Sequence, residues 1–331
     1  MKSCGFNFYI YAPKRCDDLR LKWTRDWPEQ QWNKLVEARE AYGRAGIQFG
    51  VGLSPYALYR DLSVEGQKAL QAKIERLDTL ALDILGVFFD DMPGAGTDLA
   101  KRQADIMCWA VAQSRAKTFV ICPTFYSDDP VLSRLSGSKP DRYLETLGEQ
   151  LPAKVHIFWT GPRVCSREIS AEHIQDVSRR LGRRPVLWDN YPVNDGARMS
   201  QFLHLRAFTG RGELPQVALS GHAINPMNQA RLSEIPIATL ASLYRDPVAY
   251  EPEHAFNDAA RSLCGDLLAS ALREDLEIFQ DIGLSRLSPA HLDKLRERYS
   301  AFDSPYAREV VGWLDGQFAP TPEDLEEFAT G

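Results

Sequence analysis

The stretch ILGVFFD, residues 84–90, is an almost unbroken apolar run that ends in a carboxylate. Such a run is typical of a parallel strand that is buried on both faces. Six other runs of β-branched or aromatic residues share this character and are followed by polar residues: 6–12, 47–53, 118–122, 154–159, 185–189 and 216–220. The sequence therefore predicts seven parallel strands.

Helix-length segments separate these runs, with starts predicted at residues 26–29, after Ser63 and after Glu172. Strands and helices that alternate at this spacing indicate either a doubly wound sheet or a (β/α)8 barrel. No GxGxxG segment follows the first run, and polar residues follow many different strands, as in barrel active sites. We therefore predict an α/β fold: a (β/α)8 TIM-type barrel in residues 1–250 that lacks its first strand, which we expect upstream of Met1.

Strand signals stop near Glu251, and the remainder, residues 251–331, is predicted to be a helical C-terminal region. Its helices are expected to start at Ser288-Pro289, Ser304-Pro305 and Thr321-Pro322, since serine or threonine before proline is typical of a helix start. These helices could mediate a homodimer.

Composition excludes several classes of function. The net charge of −6 and the lack of long basic stretches argue against nucleic acid and anionic membrane as partners. The N-terminus lacks the plan of a secretory signal, so a cytoplasmic location is expected. The six cysteines are scattered without CxxC spacing, which predicts reduced thiols, and the histidines show no HExxH spacing. We predict neither a metal nor a cofactor.

The carboxylates Asp90 and Asp91 give the strongest local signal, because they come at the end of the apolar run. Repulsion within such a pair is expected to raise the pKa of one carboxyl, which would then be a proton donor near neutral pH. If the pair acts on a sugar, adjacent residues are poorly placed to serve as nucleophile and acid on opposite sides of one glycosidic bond, so the nucleophile should come from elsewhere. The alternatives are a helix N-cap and a cation site.

The segment WDNYPVND, residues 188–195, gives the second signal. Carboxylates and amides bind hydroxyl groups, and an aromatic face packs on a sugar ring, so this composition suits a polyol ligand. The alternative is an Asn/Asp-rich turn before a helix. Weaker signals after other strands are Tyr126, otherwise a packed aromatic, Asn225, otherwise a turn former, and Lys14, otherwise a surface cation.

The segments YIYAPK, FFDDM, CPTFY, FWTGP, LWDNYPVND and INPM run in this order from Tyr9 to Met227. They resemble glycoside hydrolase family 84, the O-GlcNAcase-type β-N-acetylglucosaminidases; the DD pair and WDNYPVND are the most specific. Two departures are the Arg15-Cys16 insertion after YAPK and the absence of the GFYG-type segment with which the family begins. The resemblance implies a (β/α)8 barrel and retaining hydrolysis through an oxazoline formed by the substrate's own 2-acetamido group.

The resemblance also assigns roles to single residues. Asp90 would polarise the acetamido N–H, Asp91 would act as general acid and then base, and Tyr126 would hold the acetamido oxygen. It implies six further residues that bind the sugar of β-linked N-acetylglucosamine conjugates: Lys14, Cys122, Trp188, Asn190, Asp195 and Asn225.

Three other functions stay open at this point. A pocket kept without turnover would make the chain a non-catalytic N-acetylglucosamine-binding protein. The substrate could also be a hyaluronan-type polymer or a chitooligosaccharide, as for other hexosaminidases. A nucleotide-sugar enzyme on a doubly wound sheet is disfavoured, because no Gly-rich phosphate loop is present.

Overall fold

A computed structural model describes residues 2–60, 62–94 and 96–320, and its strands form one parallel sheet. The strands are β1 (Phe8–Tyr11), β2 (Gln48–Leu53), β3 (Ile84–Phe88), β4 (Thr118–Cys122), β5 (Val155–Trp159), β6 (Val186–Asp189) and β7 (Gly221–Ile224). Each strand pairs with the next along the chain. Because the strand order never reverses, the sheet has no switch point, which excludes the doubly wound alternative.

The sheet curls strongly, as contacts between side chains of distant strands show. A flat sheet would hold β3 and β6 roughly 14 Å apart, at about 4.8 Å per strand. Yet the ring of Phe88 on β3 lies 5.6 Å from that of Trp188 on β6. A Cβ placed on Gly221 of β7 would lie 4.0 Å from the ring of Phe8 on β1. Within residues 2–60, 62–94 and 96–320, the predicted TIM-type barrel that lacks one strand is confirmed.

Six of the seven predicted strands overlap observed ones, and the seventh is wrong. Residues 216–220 precede β7, and Leu214–Gln216 forms a 3-10 turn. Val217 and Leu219 pack against a small core that contains Ile169 and Leu214. The alternating apolar residues that indicated a strand are therefore buried by a loop.

Twelve α-helices lie in the described ranges. They are α1 (Glu29–Arg44), α2 (Val64–Asp78), α3 (Leu99–Gln113), α4 (Pro130–Ser136), α5 (Tyr143–Gln150), α6 (Ala171–Leu181), α7 (Gly196–Met199), α8 (Glu234–Arg245), α9 (Pro252–Cys264), α10 (Asp266–Glu274), α11 (Pro289–Ser300) and α12 (Pro305–Leu314). None of these helices is long and apolar enough to cross a membrane.

The predicted helix starts hold with one small shift. Ser63, Ser288 and Ser304 each accept a backbone N–H at the first turn of their helices. Helix α6 begins earlier than predicted because Ser170, not Glu172, caps it. The start predicted at Thr321-Pro322 lies outside the described residues.

The described part of the chain contains two large apolar cores. One surrounds the sheet, and the other joins the helices after residue 250 to residues 203–235. The Trp313 indole in α12 donates to the backbone oxygen of Ser200, 3.0 Å away. The helical region therefore packs on loops that follow β6 and β7, and the boundary at residue 250 stays a prediction.

Candidate active site

A cavity of about 510 Å³ lies at the carboxyl ends of the strands. Eight of the nine residues singled out in the sequence line it: Lys14, Asp90, Cys122, Tyr126, Trp188, Asn190, Asp195 and Asn225. Asp91, the ninth, is bonded to two of these side chains. The cavity gathers residues from the ends of β1, β3, β4, β6 and β7, because the carboxyl ends of parallel strands meet at one edge.

Asp91 is held from two sides in a left-handed backbone conformation, with φ at 53°. The Lys14 ammonium donates to Oδ2, and the Tyr126 hydroxyl donates to Oδ1 at 2.7 Å. The side chain is only 4% exposed. A non-glycine residue in this region costs of order 1 kcal/mol or more, which the surrounding bonds must offset.

The expectation that repulsion raises a pKa is wrong for Asp91. Burial alone would raise the pKa of its carboxyl, but the charge of Lys14 and the hydrogen bonds from Lys14 and Tyr126 outweigh burial and lower it. Without a bound ligand, Asp91 is therefore an anion at neutral pH. No local sequence pattern indicates this pairing, since Lys14 lies 77 residues away along the chain.

Asp90 has an unpaired oxygen. Its Oδ1 is buried and has no hydrogen-bond partner among the described residues, while Oδ2 lies 3.8 Å from the Lys14 nitrogen. The buried Arg20 side chain donates to the backbone oxygens of Asp90 and Asp91 at 3.3–3.4 Å. A buried acceptor without a partner costs about 1–3 kcal/mol, so Oδ1 marks a place where a ligand N–H or O–H could bind.

Neither aspartate caps a helix. Helix α3 begins only at Leu99, after Asp98. Cys122 and Tyr126, on the neighbouring β4 end, are buried beside the pair. Burial raises the pKa of both, and the nearby Asp91 raises it further, so the thiol and the phenol are neutral.

The Asn190 amide is fixed by three hydrogen bonds. Its Oδ1 accepts from the Trp188 indole and from the Asn225 amide, both at 3.0 Å, and its Nδ2 donates to the backbone oxygen of Val164 at 2.8 Å. Asp195 stands at the N-cap position of α7, but its side chain makes no capping bond. Burial raises the pKa of Asp195. The capping alternative therefore does not account for this side chain.

The aromatic ring of Trp188 forms the wall of the cavity on the side of the barrel interior. It packs edge-on against Phe88 at 5.6 Å and Phe158 at 4.9 Å between ring centroids. Phe88 and Phe158 also pack edge-on against each other, so the three rings form one cluster in the barrel interior.

A comparison with known families gives this site its context. The family model described as "beta-N-acetylglucosaminidase" matches residues 1–281. The chain belongs to the β-N-acetylglucosaminidase family. This confirms the predicted resemblance to glycoside hydrolase family 84 and places the chain among glycoside hydrolases.

Relatives of this β-N-acetylglucosaminidase family member include Protein O-GlcNAcase of Mus musculus and of Rattus norvegicus. Each is 28% identical over 254 residues, which cover 74% of this chain and 27% of the relative. The chain thus spans about a quarter of the length of these relatives. A mutant of the Thermobaculum terrenum O-GlcNAc hydrolase has a similar structure, with a TM-score of 0.78 and 29% identity over 95% of this chain and 75% of that one. CpGH84B, at 22% identity and a TM-score of 0.69, covering 93% of this chain and 60% of that one, shares the fold.

Sequence reasoning missed a second charged centre in this family member. Asp189, at the end of β6, accepts from Arg211 through Nε at 2.8 Å and Nη2 at 2.7 Å. His222 Nε2 lies 3.2 Å from the same carboxylate. The guanidinium of Arg211 also donates to the backbone oxygens of Ser166 and Thr209. Arg211 thereby links the loop after β5 to the loop after β6. No local sequence motif predicts this link.

Proposed function

We propose that the chain is a retaining exo-β-N-acetylglucosaminidase of the O-GlcNAcase type. Its substrates would be β-linked N-acetylglucosamine conjugates, with glycoproteins modified on Ser or Thr as the preferred class. The observation that carries the proposal is the unpaired Oδ1 of Asp90 in a cavity lined by amides, carboxylates and Trp188. The names of the murine relatives support the protein-linked substrate.

Hydrolysis would use the substrate's own nucleophile. Asp90 would accept the acetamido N–H, so that the acetamido oxygen becomes more nucleophilic and attacks the anomeric carbon as the glycosidic bond breaks. The N–H proton passes to Asp90 and a neutral oxazoline forms. Tyr126 would hold the acetamido oxygen for this attack, and Asn190 would fix the acetamido region.

Asp91 would act as the general acid and then as the general base. It would donate a proton to the leaving oxygen, then take one from the water that opens the oxazoline, while Asp90 returns its proton to nitrogen. Asp91 can carry that proton only when its bond with Lys14 loosens. Lys14, Asp195 and Asn225 would bind the sugar hydroxyls. The contact of Lys14 with the sugar could then loosen its bond with Asp91.

Two aryl glycosides test the proposal. We expect release of 4-nitrophenol from the β-N-acetylglucosaminide but not from the β-glucoside, because only the first carries the internal nucleophile. Asp91→Asn should lose turnover on the first substrate. A chain that hydrolyses both glycosides equally well would contradict substrate-assisted catalysis.

The same experiment addresses the binding-only alternative. A non-catalytic binder would be stabilised thermally by N-acetylglucosamine without any turnover. Thermal stabilisation of wild type with no hydrolysis above the Asp91→Asn background would therefore replace the enzyme by a binding protein.

A further inference from the structure

Four arginines line the outer part of the cavity. Arg134 lies on α4 after β4, Arg163 and Arg167 lie on the loop after β5, and Arg198 lies on α7 after β6. All four side chains belong to exposed residues. We call them the rim arginines. They come from three different strand-to-helix connections, so no motif brings them together in the sequence.

Most of this positive charge is not neutralised by the protein. Arg163 lies 3.4 Å from Asp129, but Arg134, Arg167 and Arg198 have no side-chain hydrogen bond or ion pair within residues 2–60, 62–94 and 96–320. Asp129 carries a single negative charge and already pairs with Arg163, so it offsets at most one of the four guanidinium groups.

The remaining acidic residues of the lining stand at the inner, sugar-binding part. Asp90 and Asp195 share that part with Lys14, whose pKa they help to raise. The cavity is therefore anionic where the sugar would bind and cationic at its rim. The chain as a whole carries a net charge of −6, so a cationic rim does not follow from composition.

We propose that the rim arginines bind an acidic peptide around the glycosylated Ser or Thr, an inference that rests on the proposed function. N-acetylglucosamine is neutral and offers no charge to pair with these guanidinium groups. Carboxylates, in contrast, form strong charge-assisted hydrogen bonds with them. The rim arginines lie on three different connections, so their charges are spread over the rim. An extended peptide, at about 3.3 Å per residue, could place several carboxylates opposite them. An acidic sugar next to the scissile bond would offer a single carboxylate.

The test measures binding of three glycopeptides that differ only in the residues flanking the modified serine: acidic, amide or basic. Asp91→Asn prevents turnover during the measurement. We expect the acidic glycopeptide to bind about tenfold more tightly than the amide one, as three exposed charge contacts would provide. The advantage should disappear at about 1 M salt, where the screening length is about 3 Å.

Variants locate the effect. Arg134→Gln, Arg167→Gln and Arg198→Gln together should abolish the preference for the acidic glycopeptide. Arg25→Gln, Arg273→Gln and Arg286→Gln change the net charge equally at exposed arginines away from the cavity, and should keep it. Both triple variants should keep the thermal unfolding midpoint of wild type, which would show that they fold.

Three results would overturn the inference: equal affinity for acidic and amide glycopeptides, a preference that survives in the rim variant, or tighter binding of an N-acetylglucosamine–uronate disaccharide than of the acidic glycopeptide. The last would assign the rim to an acidic glycan. Failure of the proposed function would look different, since the aryl glycoside would then not be cleaved whatever the peptides bind.

Discussion

Two buried carboxylate centres stand at the ends of β3 and β6, each beside a cation, and they differ in how many of their oxygens have hydrogen-bond partners in the protein. Asp189 receives both nitrogens of the Arg211 fork and has His222 beside it. At the other centre, Asp91 is bonded to Lys14 and Tyr126, but Oδ1 of the adjacent Asp90 has no partner among the described residues.

The difference separates a structural ion pair from a site that is able to rearrange. The side chain of Arg211 is 3% exposed and its planar fork fits the carboxylate at two points. The side chain of Lys14 is 25% exposed and offers a point charge on a flexible stem. We therefore expect substitutions at the Asp189 pair to change stability and substitutions at the Asp90–Asp91 pair to change turnover.

The largest effect is expected from Asp189→Ala. It would leave Arg211 buried and unpaired, which should lower the free energy of unfolding by about 3–5 kcal/mol in urea titrations. The matched control is Asp176→Ala, whose exposed pair with Arg179 should contribute within about 0.5 kcal/mol. Equal losses for the two variants would contradict a structural role.

The same pair gives an expectation for acid unfolding. Burial alone would raise the pKa of Asp189, but the hydrogen bonds from Arg211 and His222 lower it. Its contribution to stability is therefore complete above about pH 4, the ordinary value for aspartate, and is lost as the pH falls further. Asp189→Asn should show a flatter acid limb in a plot of unfolding free energy against pH.

Asp90→Asn is expected to lower turnover without lowering stability. Without a carboxylate to take the acetamido proton, kcat for the aryl glycoside is expected to fall by about 10² to 10³. The free energy of unfolding should stay unchanged or increase, because the unpaired Oδ1 is a cost to the folded state. A loss of stability as large as that of Asp189→Ala would make Asp90 a structural residue.

A smaller effect is expected from Tyr126→Phe, which removes the 2.7 Å hydrogen bond to Asp91. The same hydroxyl would hold the acetamido oxygen for attack, and the loss of a hydrogen bond worth about 1.5 kcal/mol at that step should lower kcat about tenfold. Tyr143→Phe is the control, since that hydroxyl bonds to Gln103 and Thr124 behind the site. It should change stability and leave kcat nearly intact.

Lys14→Met should shift the pH profile. Lys14 lowers the pKa of Asp91, so its removal raises that pKa and keeps the acid protonated to higher pH. The basic limb of kcat/KM should then move to higher pH, whatever the loss in sugar binding. Lys117→Met, an exposed lysine that pairs with Asp83, should leave the limb in place. A limb that does not move with Lys14→Met would contradict Asp91 as the acid.

Much of the barrel and the location of the site could be predicted from the sequence. Buried parallel strands are apolar on both faces, so runs such as residues 84–90 are visible without any partner. Polar residues at their ends are gathered by the topology alone, as Asp90 and Asn190 show. Alternation alone did not distinguish β7 from the preceding turn, because Val217 and Leu219 are also buried.

The electrostatics could not be predicted in this way. The charge state of Asp91 depends on where the Lys14 side chain ends, and the Asp189 pair depends on an arginine 22 residues further along the chain. The rim arginines come from three connections. Each of these three arrangements depends on how far a side chain extends from one loop towards another. A local sequence pattern does not contain this information.

The three rings below the cavity have a further consequence. Trp188 lines the sugar cavity, while Phe158 lines a second cavity at the opposite end of the barrel. Because the two rings pack on each other, with 4.9 Å between their centroids, they stand between the two cavities in the barrel interior. Under the proposed function, the released sugar would occupy the cavity that the next substrate needs, so N-acetylglucosamine is expected to be a competitive inhibitor.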